Sequence, residues 1–166
     1  NNAESNYNMI KENLLQLIDI PSINIHRIRG EDEPEEEAGR YSNEILDWVP
    51  QANGLPSFDL IMLGVGADGH TASIFPDRME LFESAKICST AVQPETGQKR
   101  ITITGKVINN AKNVFMVVTG EEKAVIVKDI LGEDNTSNNY PAGMIKPLNC
   151  KLEWFLDKEA AGLLQS

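Results

Sequence analysis

Two apolar runs constrain this chain more than any other feature. Leu60-Ile61-Met62-Leu63 closes the segment 58–63 and stops at Gly64, and Val114-Phe115-Met116-Val117-Val118 stops at Thr119-Gly120. A strand with one wet face alternates polar and apolar residues. An unbroken apolar run of this length instead suits a strand buried on both faces of a parallel sheet. Arg100-Ile101-Thr102-Ile103-Thr104 alternates and reads as a third strand, and 152–156 as a last one. Between them, helical spacing covers 105–112 and 121–131, the latter with Ala124, Val127 and Leu131 turned inward. Strand and helix therefore alternate from residue 58 onward, which predicts an α/β fold with a mostly parallel sheet.

The first third is helical in pattern. Ile10, Leu14 and Leu17, with Ile18 beside them, give one face of a helix over 6–19, bounded by Pro21. Ile25-His26-Arg27-Ile28 reads as a short strand-like piece. Ala38, Tyr41, Ile45 and Trp48 predict a second helix over 36–52, stopped by Asn53-Gly54-Leu55-Pro56. Glu31, Asp32, Glu33, Glu35, Glu36 and Glu37 place six carboxylates in seven positions around Pro34, expected as a solvated loop leading into a helix N-terminus. Residues 132–149 have no period and predict a long loop, of the kind often functional or mobile. Asp157 is expected to cap a closing helix through Leu164. No internal repeat is visible, and 1–166 reads as a single domain.

Charge and composition exclude several classes. With 15 basic against 25 acidic residues the net charge is −10, and no Lys/Arg cluster offers the basic face that nucleic-acid binding needs. No stretch approaches the roughly 18 apolar residues of a membrane span. Cys88 and Cys150 lie far apart with no CxxC pattern, so a reduced, cytoplasmic protein is the expectation.

The chemistry concentrates in one segment. Gly64-Val65-Gly66-Ala67-Asp68-Gly69-His70-Thr71-Ala72-Ser73 follows the first apolar run, at the strand end where open α/β sheets bind ligands. Its spacing matches GxGxxG, yet a dinucleotide site is disfavoured. Asp68 would put a carboxylate where a pyrophosphate must sit, and Pro76 stops any helix soon after. The glycines instead allow a sharp turn and close approach of a ligand. Asp68 and His70, two apart, fall on one side of an extended segment. A carboxylate there can hold the imidazole tautomer and support the imidazolium that forms when it takes a proton. The plainer reading is a loop Asp and His that satisfy backbone groups. Ser73 lies outside any GxSxG nucleophile elbow, and Asp68 with His70 lacks the ligand spacing of a metal site. Proton transfer or water activation is the chemistry left.

The stretch from Leu63 through Gly64-Val65-Gly66-Ala67-Asp68-Gly69-His70-Thr71-Ala72-Ser73 to Ile74-Phe75-Pro76 closely resembles the signature of the glucosamine-6-phosphate isomerase/6-phosphogluconolactonase superfamily, lactonase branch. Ser5-Asn6-Tyr7, Ile25-His26-Arg27-Ile28, Arg100-Ile101-Thr102-Ile103-Thr104, Gly120-Glu121-Glu122-Lys123-Ala124 and Trp154-Phe155-Leu156-Asp157 resemble further family segments, in family order. Deaminases of the superfamily carry a Glu for ring opening where this chain has Phe75.

The resemblance implies a Rossmann-like three-layer fold and hydrolysis of 6-phospho-D-glucono-1,5-lactone to 6-phosphogluconate in the pentose phosphate pathway. It implies His70 as general base, Asp68 as its orienting partner, and Arg100 and Lys123 as ligands of the 6-phosphate. Arg offers a bidentate fork to phosphate and Lys a point charge. The Gly66 N–H is a candidate oxyanion donor, while His26 is expected to serve structure. No metal and no organic cofactor enters this scheme, and a monomer, or a dimer, is expected. The rival readings are an amino-sugar-phosphate deaminase or isomerase and a sugar-phosphate-binding module without turnover. Family members carry first strands, a phosphate loop and an Asp-Glu-Arg segment ahead of Ser-Asn-Tyr. The chain is therefore expected to be the C-terminal portion of a longer domain, with the N-terminal strands absent.

Overall fold

A computed structural model describes residues 5–132, 136–147 and 151–164. In chain order the main elements are α1 (Asn6–Ile10), continued by a π-turn over Lys11–Leu15, α2 (Pro34–Trp48), β1 (Gln51–Ala52), β2 (Leu55–Pro56), β3 (Ile61–Leu63), β4 (Cys88–Val92), β5 (Lys99–Ile103), α3 (Gly105–Asn109), β6 (Asn113–Val118), α4 (Ala124–Leu131) and β7 (Lys151–Leu156). β3, β6 and β7 form a parallel sheet in the order β3-β6-β7. Leu63 pairs with Met116 and Val118 with Leu156, so all three strands end at one edge.

The sheet is buried on one face. Ile61, Leu63, Val114, Met116 and Val118 pack into the main core with Ile74, Phe75 and Val127. On the other face Met62 is 65% exposed, Phe155 46% and Val117 40%. The expectation that residues 60–63 and 114–118 are buried on both sides is therefore corrected: among the described residues no layer covers this face. The stripe Ile10, Leu14, Leu17 and Ile18 is exposed as well. In α4, Ala124 and Val127 face inward as expected, but Leu131 does not; Ile126 and Ile130 take the remaining core positions.

Several boundaries move for identifiable reasons. The second helix starts at Pro34, which needs no N–H partner in a first turn, and Glu35, Glu36 and Glu37 follow it there. It stops at Trp48, not residue 52, because Pro50 pushes Val49 out of the helical region, to φ −97° and ψ 123°. Asn53 and Gly54, at φ 56° and 77°, turn the β1–β2 hairpin that follows. Residues 25–28 are not a strand. Their backbone is satisfied by α2 side chains: the Tyr41 hydroxyl donates to His26 O and Arg40 Nη2 to Arg27 O, each at 3.2 Å.

The alternating strand near residue 100 is β5, but its partner is β4, antiparallel and unforeseen, with Ala91 opposite Arg100. Residues 157–164 form successive turns instead of a helix. The Asp157 carboxylate does accept from Ala160 N at 2.7 Å, as a cap would, and also from Gly120 N at 2.9 Å, which ties the β7 end to the β6 end. The segment expected as a long loop contains two 3-10 turns, Ser137–Asn139 and Pro141–Met144, with Ala142 and Ile145 buried. Cys88 is buried with a free thiol, and Cys150 lies outside the described residues.

Not all of the acidic run is solvated. The Glu37 side chain is fully buried and accepts from Arg29 N at 2.7 Å and from Arg40 Nε and Nη2 at 2.5 and 2.6 Å. The hydrogen bonds from Arg40 hold its carboxyl below the usual range. Its contribution to stability is thus present above the ordinary carboxylate pKa and is lost as pH falls through the depressed one. Glu37→Gln is expected to cost about 3 kcal/mol near neutrality, the low end for breaking a buried pair because Arg40 keeps some contact with water. Urea denaturation across a pH series checks this. The gap between variant and wild type should narrow in acid, and a gap that widens there would contradict the assignment.

Candidate active site

The segment after β3 is a tight double-closed turn. Gly69 N donates to Gly66 O and Gly66 N to His70 O, both at 2.9 Å. Gly69 sits at φ 80°, a conformation only glycine adopts without strain. Within this turn one oxygen, Asp68 Oδ1, accepts twice: from His70 N at 3.1 Å and from His70 Nδ1 at 2.6 Å. The ring rests on Phe75, with centroids 4.7 Å apart. Burial alone would raise the Asp68 carboxyl, but the two hydrogen bonds from His70 outweigh it and hold the group below its ordinary value. An ionised Asp68 accepting at Nδ1 keeps the ring proton there. Nε2 has no partner among the described residues and is the ring nitrogen that offers a lone pair in the neutral form of this tautomer.

The turn's approach is close. A Cβ at Gly66 would lie 2.6 Å from Asp68 Oδ1 and would overlap the His70 ring. Gly66 therefore contributes room. Its N–H is already engaged by His70 O, so the expected role as an outward oxyanion donor is not the one this geometry provides. Thr71, fully buried, anchors the turn through its hydroxyl to Gly64 O at 2.9 Å, and Ala72 is held at φ 50°. Ser73 N donates to Thr102 Oγ1 at 3.2 Å, which fastens the turn to β5.

Arg100 lies two residues before Thr102 on that strand and thus on the same face. Among the described residues its guanidinium hydrogen-bonds only the neutral Gln98 amide oxygen, at 3.2 and 3.3 Å. Lys123 ends the 3-10 turn Glu121–Lys123, just past Gly120 at the β6 end, adjacent to the β3 end from which the glycine turn leaves. Neither cation has a carboxylate partner among the described residues, unlike Arg27, Arg40, Arg78, Lys106 and Lys112. His26 is placed away from this turn, with Nδ1 2.7 Å from Glu44 Oε1 and its ring 4.8 Å from Trp48, a structural setting. A cleft of about 150 Å³ between Glu35, Arg78 and Lys99 and one of about 330 Å³ beside Cys88 both exclude His70.

Phe75 is the neighbour of His70 that residue types alone do not reveal. It was legible only as the residue standing where a deaminase has its acid, not as the floor under the imidazole. No group of three or more His, Cys, Asp and Glu side chains suited to a metal ion occurs among the described residues, and no helix there is long and apolar enough to cross a membrane.

The fold and site define an α/β protein that presents an Asp–His pair on a glycine turn at the edge of a parallel sheet. Residues 1–154 match the family described as glucosamine-6-phosphate isomerases/6-phosphogluconolactonase. The chain belongs to this family. It is 45% identical over 135 residues to the 6-phosphogluconolactonase of Treponema pallidum, covering 81% of this chain and 56% of that protein. It is 46% identical over 161 residues to the 6-phosphogluconolactonase of Haemophilus influenzae, covering 97% and 67%. A crystal structure titled devB protein superposes with a TM-score of 0.93 at 42% identity, over 99% of this chain and 68% of that one. The chain thus spans little more than half of the first of these relatives and two thirds of the second.

Gly66→Ala is expected to destabilise the fold by about 1–3 kcal/mol, the cost of forcing a methyl into occupied space. Urea unfolding measures it, and a variant as stable as wild type would mean the turn is not closed around His70.

Proposed function

We propose that this chain carries the hydrolytic centre of a 6-phosphogluconolactonase, acting on 6-phospho-D-glucono-1,5-lactone in the cytoplasm. The observation that carries the reading is the Asp68–His70 pair, with Nδ1 bound at 2.6 Å and Nε2 unengaged among the described residues. In the reaction, His70 Nε2 takes a proton from water as the water oxygen bonds to the lactone carbonyl carbon. Asp68 fixes the tautomer and supports the imidazolium. Collapse of the tetrahedral oxyanion breaks the bond to the ring oxygen, which leaves as a hydroxyl with the proton returned by His70. The products are the carboxylate of 6-phosphogluconate and a proton.

Arg100 and Lys123 hold the remote 6-phosphate, which positions the reacting carbonyl. Their lack of acid partners among the described residues supports this role. No metal or organic cofactor is needed by the scheme. Phe75, 1% exposed against His70, stands where a ring-opening acid would be needed, which speaks against deamination. The net charge of −10 speaks against a nucleic-acid partner, and the site as proposed needs no second copy.

The domain reading accompanies this. Residues 1–166 act as the C-terminal portion of one longer domain, and further chain covers the face carrying Met62, Val117 and Phe155. Support comes from the exposure of that face, since parallel sheets are covered on both sides, and from the greater length of the relatives.

The test uses the protein as encoded. It should release acid from 6-phosphogluconolactone well above the spontaneous rate and release no ammonia from glucosamine 6-phosphate. Arg100→Ala should raise KM for the phosphorylated lactone tenfold to about a hundredfold, the loss of one or two charge-assisted hydrogen bonds, and leave unphosphorylated lactone unaffected. Ammonia release without lactonase turnover would replace the reading with deamination, and 6-phosphogluconate binding without turnover would leave a binding module.

A further inference from the structure

Gly69 is buried although Asp68 beside it is exposed and His70 only half-buried. What covers it is Tyr140. A Cβ at Gly69 would lie 2.6 Å from Tyr140 Cδ1, 2.9 Å from its Cβ and 3.0 Å from Cγ, so the ring base rests directly on the glycine. The same segment also grips the turn through its backbone: Ala142 N donates to Gly69 O at 3.0 Å.

The ring is itself held from behind. The Tyr140 hydroxyl donates to Asp129 Oδ2 at 2.8 Å, and Thr136 Oγ1 donates to Asp129 O at 2.6 Å. Asp129 lies on α4, the helix that starts immediately after Lys123. Below Tyr140, Asn109 locks the segment by donating to Met144 O at 3.2 Å and accepting from Lys146 N at 2.9 Å. Gly143 passes so close to Ser137 O that no side chain would fit between them.

From this geometry we infer that Tyr140 is a positioning residue for the Asp68–His70 pair, with Asp129 as its anchor. It touches neither substrate nor reacting atoms. It acts by pressing Gly69 into the left-handed conformation that folds Asp68 back onto the backbone N and ring Nδ1 of His70. A glycine at φ 80° between two partly solvated residues has many alternative conformations, and closing an apolar ring over it removes them. Through α4, one element then serves both ends of the site, Lys123 at its start and the clamp on the turn at Asp129. The inference rests on the reading of Asp68 and His70 as the catalytic pair.

The test is spectroscopic, so it does not depend on turnover. The chain has only two histidines. His26, bonded to Glu44, serves as the internal reference for His70. Ring nitrogen NMR shifts should place the wild-type His70 proton on Nδ1. In Tyr140→Ala they should move toward the mixed tautomers of free imidazole while His26 stays unchanged. Tyr140→Phe, which keeps the ring on Gly69 and loses only the bond to Asp129, should retain most of the wild-type signature. If Tyr140→Ala loses the His26 signature as well, Tyr140→Leu, which keeps apolar bulk without a flat ring, is read the same way. A wild-type His70 signature in the folded variant overturns the inference.

In the protein as encoded, Tyr140→Ala should also lower kcat up to about a hundredfold with KM for the lactone little changed, as for a small misplacement of a catalytic group. A tautomer change without any lactonase activity in wild type would uphold the clamp and contradict only the proposed reaction.

Discussion

The double acceptance at Asp68 Oδ1 is the interaction on which the rest of the site depends. A free Asp–His pair two residues apart samples many geometries, and in water its hydrogen bond is worth little. Here the backbone decides. Gly66 and Gly69 close the turn on itself, so that one carboxylate oxygen meets both the N–H and the ring nitrogen of the same residue. The imidazole packs against Phe75 with the ring planes 44° apart, and the arrangement needs a missing Cβ at Gly66 and a left-handed Gly69. Each is a steric requirement, and together they explain why so short a stretch holds so many glycines.

The parallel register supplies the second constraint. Because β3 and β6 run side by side and end together, the glycine turn and the Gly120-Glu121-Glu122-Lys123 turn emerge from neighbouring strands at one edge. Asp157 reinforces that edge by accepting from Gly120 N, so the end of β7 braces the end of β6. Sheet pairing thus sets the turn that carries His70 and the turn that carries Lys123 on neighbouring strand ends, without any local sequence relation between residues 70 and 123. Lys123, at this edge, has no carboxylate partner among the described residues.

Much of this was legible in the residues, for physical reasons that can be named. Apolar runs ending in glycine mark parallel strands because two-sided burial leaves no polar position, and β3 and β6 lie where those runs do. Their second face is uncovered among the described residues because burial depends on what is packed against it, which no local pattern states. Strand β4 escaped notice because Cys88-Ser89-Thr90-Ala91-Val92 is short and mixed, and only its pairing with β5 defines it. The β1–β2 hairpin did have a signal, Asn53-Gly54, which reads as a helix stop unless Pro50 is first allowed to end α2. The burial of Glu37 and the grip of residues 136–147 on the turn arise from contacts between distant segments, Arg29 and Arg40 in one case and Gly69 in the other. The Asp68–His70 pair was the easiest to read, since its two members and the glycines that close their turn lie within five residues of one another.

The central claim is that His70 Nε2 acts as the base in lactone hydrolysis. The most direct measurement is the rate of 6-phosphogluconolactone hydrolysis by the protein as encoded and by its His70→Ala variant, each corrected for the spontaneous reaction. The account predicts that the variant loses a factor of about 10² to 10⁴ in kcat, the usual contribution of a positioned general base, while remaining folded. A variant that keeps the rate enhancement to within a few-fold would show that the proton goes elsewhere.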